Sequence, residues 1–328
     1  MDLIPNLYNT YIEFQDKYRD PRVDGWLLMS GPLPSLLLCL SYVYIVRSAG
    51  PKYMEHKEPY QLRKVLVIYN LLQMIFSMFI FYELGMGGWF KGYSFRCQPV
   101  DYSQAPMATR MAAACWWYYF SKFTEFFDTF FFILRKKYQH VSTLHVVHHG
   151  LMPLSVWFGM KFTPGGHSSL FGFLNSFVHI VMYFYYMVAA MGPQYQKYIW
   201  WKRYLTNFQM VQFVLIFIHS FQLVVSNPCD YPVFYGWFIG AHGVLFFILF
   251  SGYYSREYLK KKMNKRSKPG QKGVKSAMIS AVDTTCIPNQ TALQQNGVGK
   301  GGQMNGYSNG HATHNTSDMK LRSRTNNS

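Results

Sequence analysis

Three imidazoles stand within five residues of this chain, at His145, His148 and His149. On a helix the spacings i, i+3 and i+4 gather them within an arc of about 100° on one face. A neutral imidazole attacks activated carbonyls, moves protons near neutral pH and ligates metals. The cluster sits at the edge of an apolar run, where polar atoms without partners are costly. A purely structural role for the three rings would repeat that cost on one face with nothing in return.

A metal centre is the sharper alternative, because imidazoles at i, i+4 suit zinc or iron. A membrane di-iron desaturase or hydroxylase, however, draws on several such boxes. Here there is one, and His167, His179, His219 and His242 occur singly. The expectation is chemistry by the imidazoles themselves, with no metal.

A second group is Lys122, Glu125, Asp128 and Thr129, which a helix places within an arc of about 120°. Facing lipid, each charge would cost on the order of 3 kcal/mol, so the group must turn inward. Lys122 is expected to pair with Glu125 at i+3; a helix-locking ion pair without chemistry is the plainer alternative. Two further polar faces follow: Asn175, His179, Tyr183 and Tyr186, then Thr206, Gln209 and Gln212. A lone Asn or Gln in a membrane is more often interhelical glue than a catalytic group. Four consecutive apolar segments that each present a polar face describe helices closed around a polar pocket, where Lys122, Glu125, Asp128, Thr129, Tyr183, Tyr186, Thr206, Gln209 and Gln212 are expected to bind substrate.

The elements that must hold these groups are apolar helices. The chain of 328 residues is 50% hydrophobic and 19% aromatic, yet its mean hydropathy is −0.04. That average joins two unlike stretches. Residues 256–328 are rich in Lys, Ser, Asn, Gly and Gln and are expected to be a disordered basic tail. Residues 26–255 contain seven blocks approaching the ~20 residues needed to cross a bilayer: 26–47, 65–87, 113–134, 144–162, 168–190, 204–225 and 233–254. The expected fold is all-α and integral to the membrane. A polar start argues against a cleaved signal, so the first span is expected to direct its own insertion.

Charge orients the spans. Eighteen Lys and Arg fall on the side holding residues 47–64, 135–137, 197–203 and 256–268, against seven on the other. The positive-inside rule then puts residues 1–25 in a lumen and the tail in the cytosol. The formal charge of +17 has this cause, and a sparse, Gly-rich tail is no nucleic-acid surface. Cys97 and Cys229 share the lumenal side and are expected to form a disulfide, Cys39 and Cys115 read as packing residues, and Cys286 lies in the tail. In this topology the pocket opens to the cytosol through a polar mouth and ends in Phe, Leu, Ile, Val and Met. That shape suits a long chain with a water-soluble head.

The strings KFTEFFDTFFFILRKK, LHVVHHG, NSFVHIVMYFYY and TNFQMVQF occur in this order, with WWYYFSK before the first and IWWKRYLT before the last. Over roughly residues 20–255 the chain resembles the elongases of very-long-chain fatty acids, nearest the long-chain branch. The resemblance implies a seven-helix enzyme of the endoplasmic reticulum membrane, an acyltransferase that condenses malonyl-CoA with a long-chain acyl-CoA. The products would be CO2, CoA and a 3-oxoacyl-CoA two carbons longer. It implies no cofactor, contact with membrane lipid and with other enzymes of the elongation cycle, and leaves self-association open. By analogy His148 carries the acyl group, His145 and His149 orient or activate it, and His179 and Asn175 work on the malonyl side. A non-catalytic lipid carrier and a di-iron oxidase are the rival classes.

Overall fold

The computed structural model describes residues 3–260; the basic tail, with Cys286, lies outside them. Among the described residues every regular element is helical. The chain runs α1 (Leu3–Tyr18), α2 (Pro32–Tyr44), α3 (Gly50–Met54), α4 (Arg63–Leu84), α5 (Pro106–Thr124) and α6 (Phe126–Leu134). It continues α7 (Thr143–Phe162), α8 (Ser169–Met191), α9 (Lys202–Val225) and α10 (Val233–Tyr254). Prolines open α2 and α5 at positions where a helix does not need the missing N–H. Wider π-type turns carry α2 into α3 and extend α4 to Trp89.

Among the described residues five stretches are long and apolar enough to cross a membrane: Pro32–Met54, Arg63–Trp89, Gly166–Met191, Lys202–Val225 and Val233–Leu259. Two of the seven expected spans do not qualify on those grounds. Residues 113–134 are split between α5 and α6 at Glu125 and carry three charges. α7 is 20 residues long but spends three positions on histidine. The groups that mark the candidate chemistry are the ones that dilute the apolar signal.

The surface is that of a protein in hydrocarbon. α4 buries Asn70, Gln73 and Ser77, while Ile68, Leu72 and Ile75 on its other face are 51–58% and 60% exposed. Water would select the reverse, whereas lipid makes interhelical contacts the place for polar groups. The helices close into a ring, with α4 beside α8, α8 beside α9, α9 beside α10, α10 against α7, α7 against α5, and α5 against α4. α2 packs on the outside of α7. α10 is needed to shut the ring, although no polar face had marked it in the sequence.

At the end of the ring near the C-terminus of α7, Cys97 and Cys229 are joined by a disulfide with their Cα atoms 5.8 Å apart. It ties the connection before α5 to the connection between α9 and α10, 132 residues away. Nearby, the rings of His167 and His219 stack 3.7 Å apart. Each donates its Nε2–H to the other's backbone carbonyl, at 2.8 and 3.2 Å. This reciprocal pair ties the turn before α8 to α9. Thiol titration of denatured, unreduced protein should find three groups, those of Cys39, Cys115 and Cys286. A count of five would refute the bridge.

Candidate active site

α7 begins where it does because Ser142 caps it. Its hydroxyl accepts the backbone N–H of His145 at 3.2 Å. The cap places the histidine box in the first two turns. One turn on, Pro153 has no N–H to offer the carbonyl of His149, so the helix is loosened beside the box. The rings of His145 and His149 lie 4.3 Å apart and those of His148 and His149 5.1 Å apart. His148 also meets Phe246 of α10 edge-on at 5.0 Å. Both ring contacts are aromatic, and no hydrogen bond of the described residues engages its nitrogens, which leaves them for a ligand.

The facing wall is built on a helix break. Glu125 stands between α5 and α6, its N–H shared between the carbonyls of Ser121 and Phe123. Its carboxylate meets Lys122 Nζ at 2.6 Å and His179 Nδ1 at 3.3 Å. A carboxylate oxygen accepts, so His179 carries a proton on Nδ1 and turns Nε2 the other way. Asn175 is oriented in the same manner. Its Oδ1 accepts from Tyr118 at 2.9 Å and from Lys122 at 3.1 Å, which leaves the amide N–H donors as the free end. The arrangement presents one nitrogen lone pair and one amide donor side by side.

A cavity of about 610 Å³ lies between these walls. Lining it are Glu125, Asp128, His145, His148, His149, Asn175, His179, Tyr183, Tyr186, Thr206, Gln209 and Gln212. Tyr183 donates to Asp128 at 2.9 Å, Gln209 reaches Met182 and Thr206 reaches the backbone of Lys202. His149 Nδ1 and Gln212 Nε2 are buried without a partner. Burial of an unpaired polar atom costs on the order of 1–3 kcal/mol, and a bound polar ligand would relieve it.

Further along α7 a smaller chamber of about 70 Å³ is lined mainly by apolar groups, among them Leu84, Met152, Val156, Met160, Phe171 and Ile239. Met152, which lines this chamber, packs with Phe213, which lines the larger cavity, and with Phe246. The result is a polar compartment at the N-terminal end of α7 and a greasy one towards its C-terminus.

Two of the residues expected at the substrate do not line the cavity. Lys122 and Thr129 were expected to touch substrate, but both stand behind the cavity wall, 2% and 0% exposed. Lys122 is turned to Glu125 and Asn175 because a buried ammonium takes the nearest anion and carbonyl. Thr129 is held between Tyr42 and His145. The mouth adds residues that the sequence did not single out, namely Gln139, His140, Lys202, Tyr253, Arg256 and Glu257. Lys202 and Arg256 had been read only as charges at the ends of spans. Tyr42 and Tyr118 had not been singled out either.

The donor atoms of Glu125, His148 and His149 lie within 4.8 Å of one another, close enough to hold a metal ion. The same carboxylate is already paired with the Lys122 ammonium at 2.6 Å. A dication placed there would meet a fixed positive charge in a low-dielectric wall, so the site suits a neutral or anionic guest better.

Residues 27–266 match the family described as ELO: GNS1/SUR4 family. Over 261 residues the chain is 57% identical to "Very long chain fatty acid elongase 7" of Drosophila melanogaster, covering 80% of this chain and 79% of that one. It is 50% identical to the protein of the same name from Rattus norvegicus, covering 78% and 92%. To "Very long chain fatty acid elongase 1" of Homo sapiens it is 42% identical, covering 80% and 93%.

Proposed function

The chain belongs to the ELO: GNS1/SUR4 family, and from that premise we propose that it is the condensing enzyme of very-long-chain fatty-acid elongation. As an acyltransferase it joins malonyl-CoA to a long-chain acyl-CoA, giving 3-oxoacyl-CoA, CO2 and CoA. The observation that carries the reading is the paired compartment: a histidine-lined polar cavity with an apolar chamber further along the same helix. Two basic residues at the mouth, Lys202 and Arg256, suit the phosphates of CoA.

The chemistry follows from the free atoms. An imidazole nitrogen of His148 attacks the thioester carbonyl, the C–S bond breaks, and CoA leaves as the thiol by taking the proton that the ring gives up from its other nitrogen. The acyl-imidazole keeps its carbonyl electrophilic. Malonyl-CoA loses CO2, and the electron pair of the broken C–C bond becomes an enolate without a strong base. That carbanion bonds to the acyl carbon, the C–N bond breaks, and the leaving ring nitrogen takes up a proton from water to restore the imidazole. The Asn175 amide donor is available to the enolate oxygen, and the Glu125-bound His179 offers Nε2 beside it. The reaction requires no metal and no organic cofactor.

In this reading α5–α6 and α7 also cross the bilayer, making seven spans in an endoplasmic reticulum membrane. Residues 1–25 are lumenal and the tail is cytosolic. The product needs reduction, so enzymes of the same cycle are its natural neighbours. The tail offers Asn289, Asn315 and Asn326 as glycosylation acceptors. Deglycosylation should leave the mobility of the protein unchanged; a shift mapped to a tail asparagine would invert the orientation. For the function, purified protein should release CO2 from carboxyl-labelled malonyl-CoA only when acyl-CoA is present. Binding without release would indicate a lipid carrier, and stoichiometric iron with chelator-sensitive oxidation a di-iron enzyme.

A further inference from the structure

α2 lies outside the helix ring, yet one of its side chains reaches the histidine box. Tyr42 is 1% exposed, and its ring stacks on Phe126 at 4.3 Å and 23°. Its hydroxyl lies 2.9 Å from Thr129 Oγ1, which lies 2.7 Å from His145 Nε2. Among the described residues Thr129 is the sole hydrogen-bond partner of the Tyr42 hydroxyl. These three groups form a buried chain that ends on the cavity.

The direction of the chain follows from its chemistry. A phenol donates better than an aliphatic alcohol, and an imidazole nitrogen accepts better than a phenol oxygen. Tyr42 therefore donates to Thr129, and Thr129 donates to His145 Nε2. The reverse order would leave the phenol proton buried with no acceptor. His145 is then the tautomer with its proton on Nδ1, its ring held 4.3 Å from that of His149. The geometry points to Tyr42 as a positioning residue that, through Thr129, holds His145 as an Nδ1–H donor on the wall of the reaction cavity. This rests on the condensation reading above. Tyr42 never touches substrate; it acts by keeping the Thr129 hydroxyl from rotating.

The test is a double-mutant cycle on the full-length enzyme, measuring kcat and both KM values. Tyr42→Phe keeps the stack on Phe126 and removes only the phenol proton. It should lower kcat about tenfold with both KM values within about twofold, the pattern of an interaction used only in the transition state. Thr129→Val should lose as much or more, Thr129→Ser should retain most activity, and Tyr42→Phe with Thr129→Val should equal Thr129→Val alone. In a His145→Ala background Tyr42→Phe should add no loss. Wild-type kcat in Tyr42→Phe, multiplicative losses in the double variant, or a kcat loss matched by a lost folded fraction would each overturn the proposal. A wild type that is active while Tyr42→Phe is unaffected refutes this assignment alone. A wild type that releases no CO2 overturns the function and this assignment together.

Discussion

His148→Ala is expected to abolish condensation, lowering kcat by at least about 10³-fold, the scale seen when a covalent nucleophile is removed. The expectation rests on where His148 stands. Its ring is set by Phe246 and His149, it lines the cavity, and no hydrogen bond of the described residues occupies its nitrogens. A second measurement separates the nucleophile from a bystander. Incubated with acyl-CoA alone and quenched, wild-type protein should gain one acyl mass, and His148→Ala should gain none. Activity within tenfold of wild type in His148→Ala would reject the assignment. An absent adduct with kinetics requiring both substrates at once would reject the covalent step while leaving condensation in place.

The second large effect belongs to the buried pair. Lys122→Met removes the cation but leaves Glu125 buried with only imidazoles, His179 at 3.3 Å and the nearby His148 and His149, as ionisable neighbours. Stranding one member of a buried ion pair costs about 3–5 kcal/mol, and that loss should appear as a large fall in the thermal midpoint in detergent. Replacing both partners, Lys122→Met with Glu125→Gln, removes both charges and should restore much of the stability. Activity should not return with it. Asn175 Oδ1 loses one of the two donors that turn its amide towards the cavity, and His179 loses the carboxylate that holds its proton on Nδ1. A Lys122→Met protein with an unchanged midpoint would show that the pair does not hold this wall. A double variant with normal kcat would show that the pair is a staple with no part in the chemistry.

The helical period and the dielectric of the membrane made much of this legible in the chain. Three histidines at i, i+3 and i+4 share a face whatever surrounds them, and the polar residues of α8 and α9 must turn from lipid because lipid offers them no partner. For the same reason the sequence determined that Lys122 and Glu125 are neighbours and that both lie inside. The membership of the cavity wall, from Asp128 to Gln212, largely follows from those local rules.

Other features depend on which helices meet, and local spacing is silent about that. The sequence treated 113–134 as one span, whereas the helix breaks at Glu125, where a carboxylate must serve both Lys122 and His179. Lys122 and Thr129 pointed inward as expected, but packing of α8 and α2 against them decided that they would meet side chains and not a ligand. Tyr42 and Tyr118 carried no local signal, because a phenol's role lies in the partner its hydroxyl finds, 87 and 57 residues away. Lys202 and Arg256 carried the charge asymmetry equally well at any position around the helix end; only the closure of α9 on α10 brings both to one mouth. Periodicity sets the face of each helix, and only tertiary packing sets what that face touches.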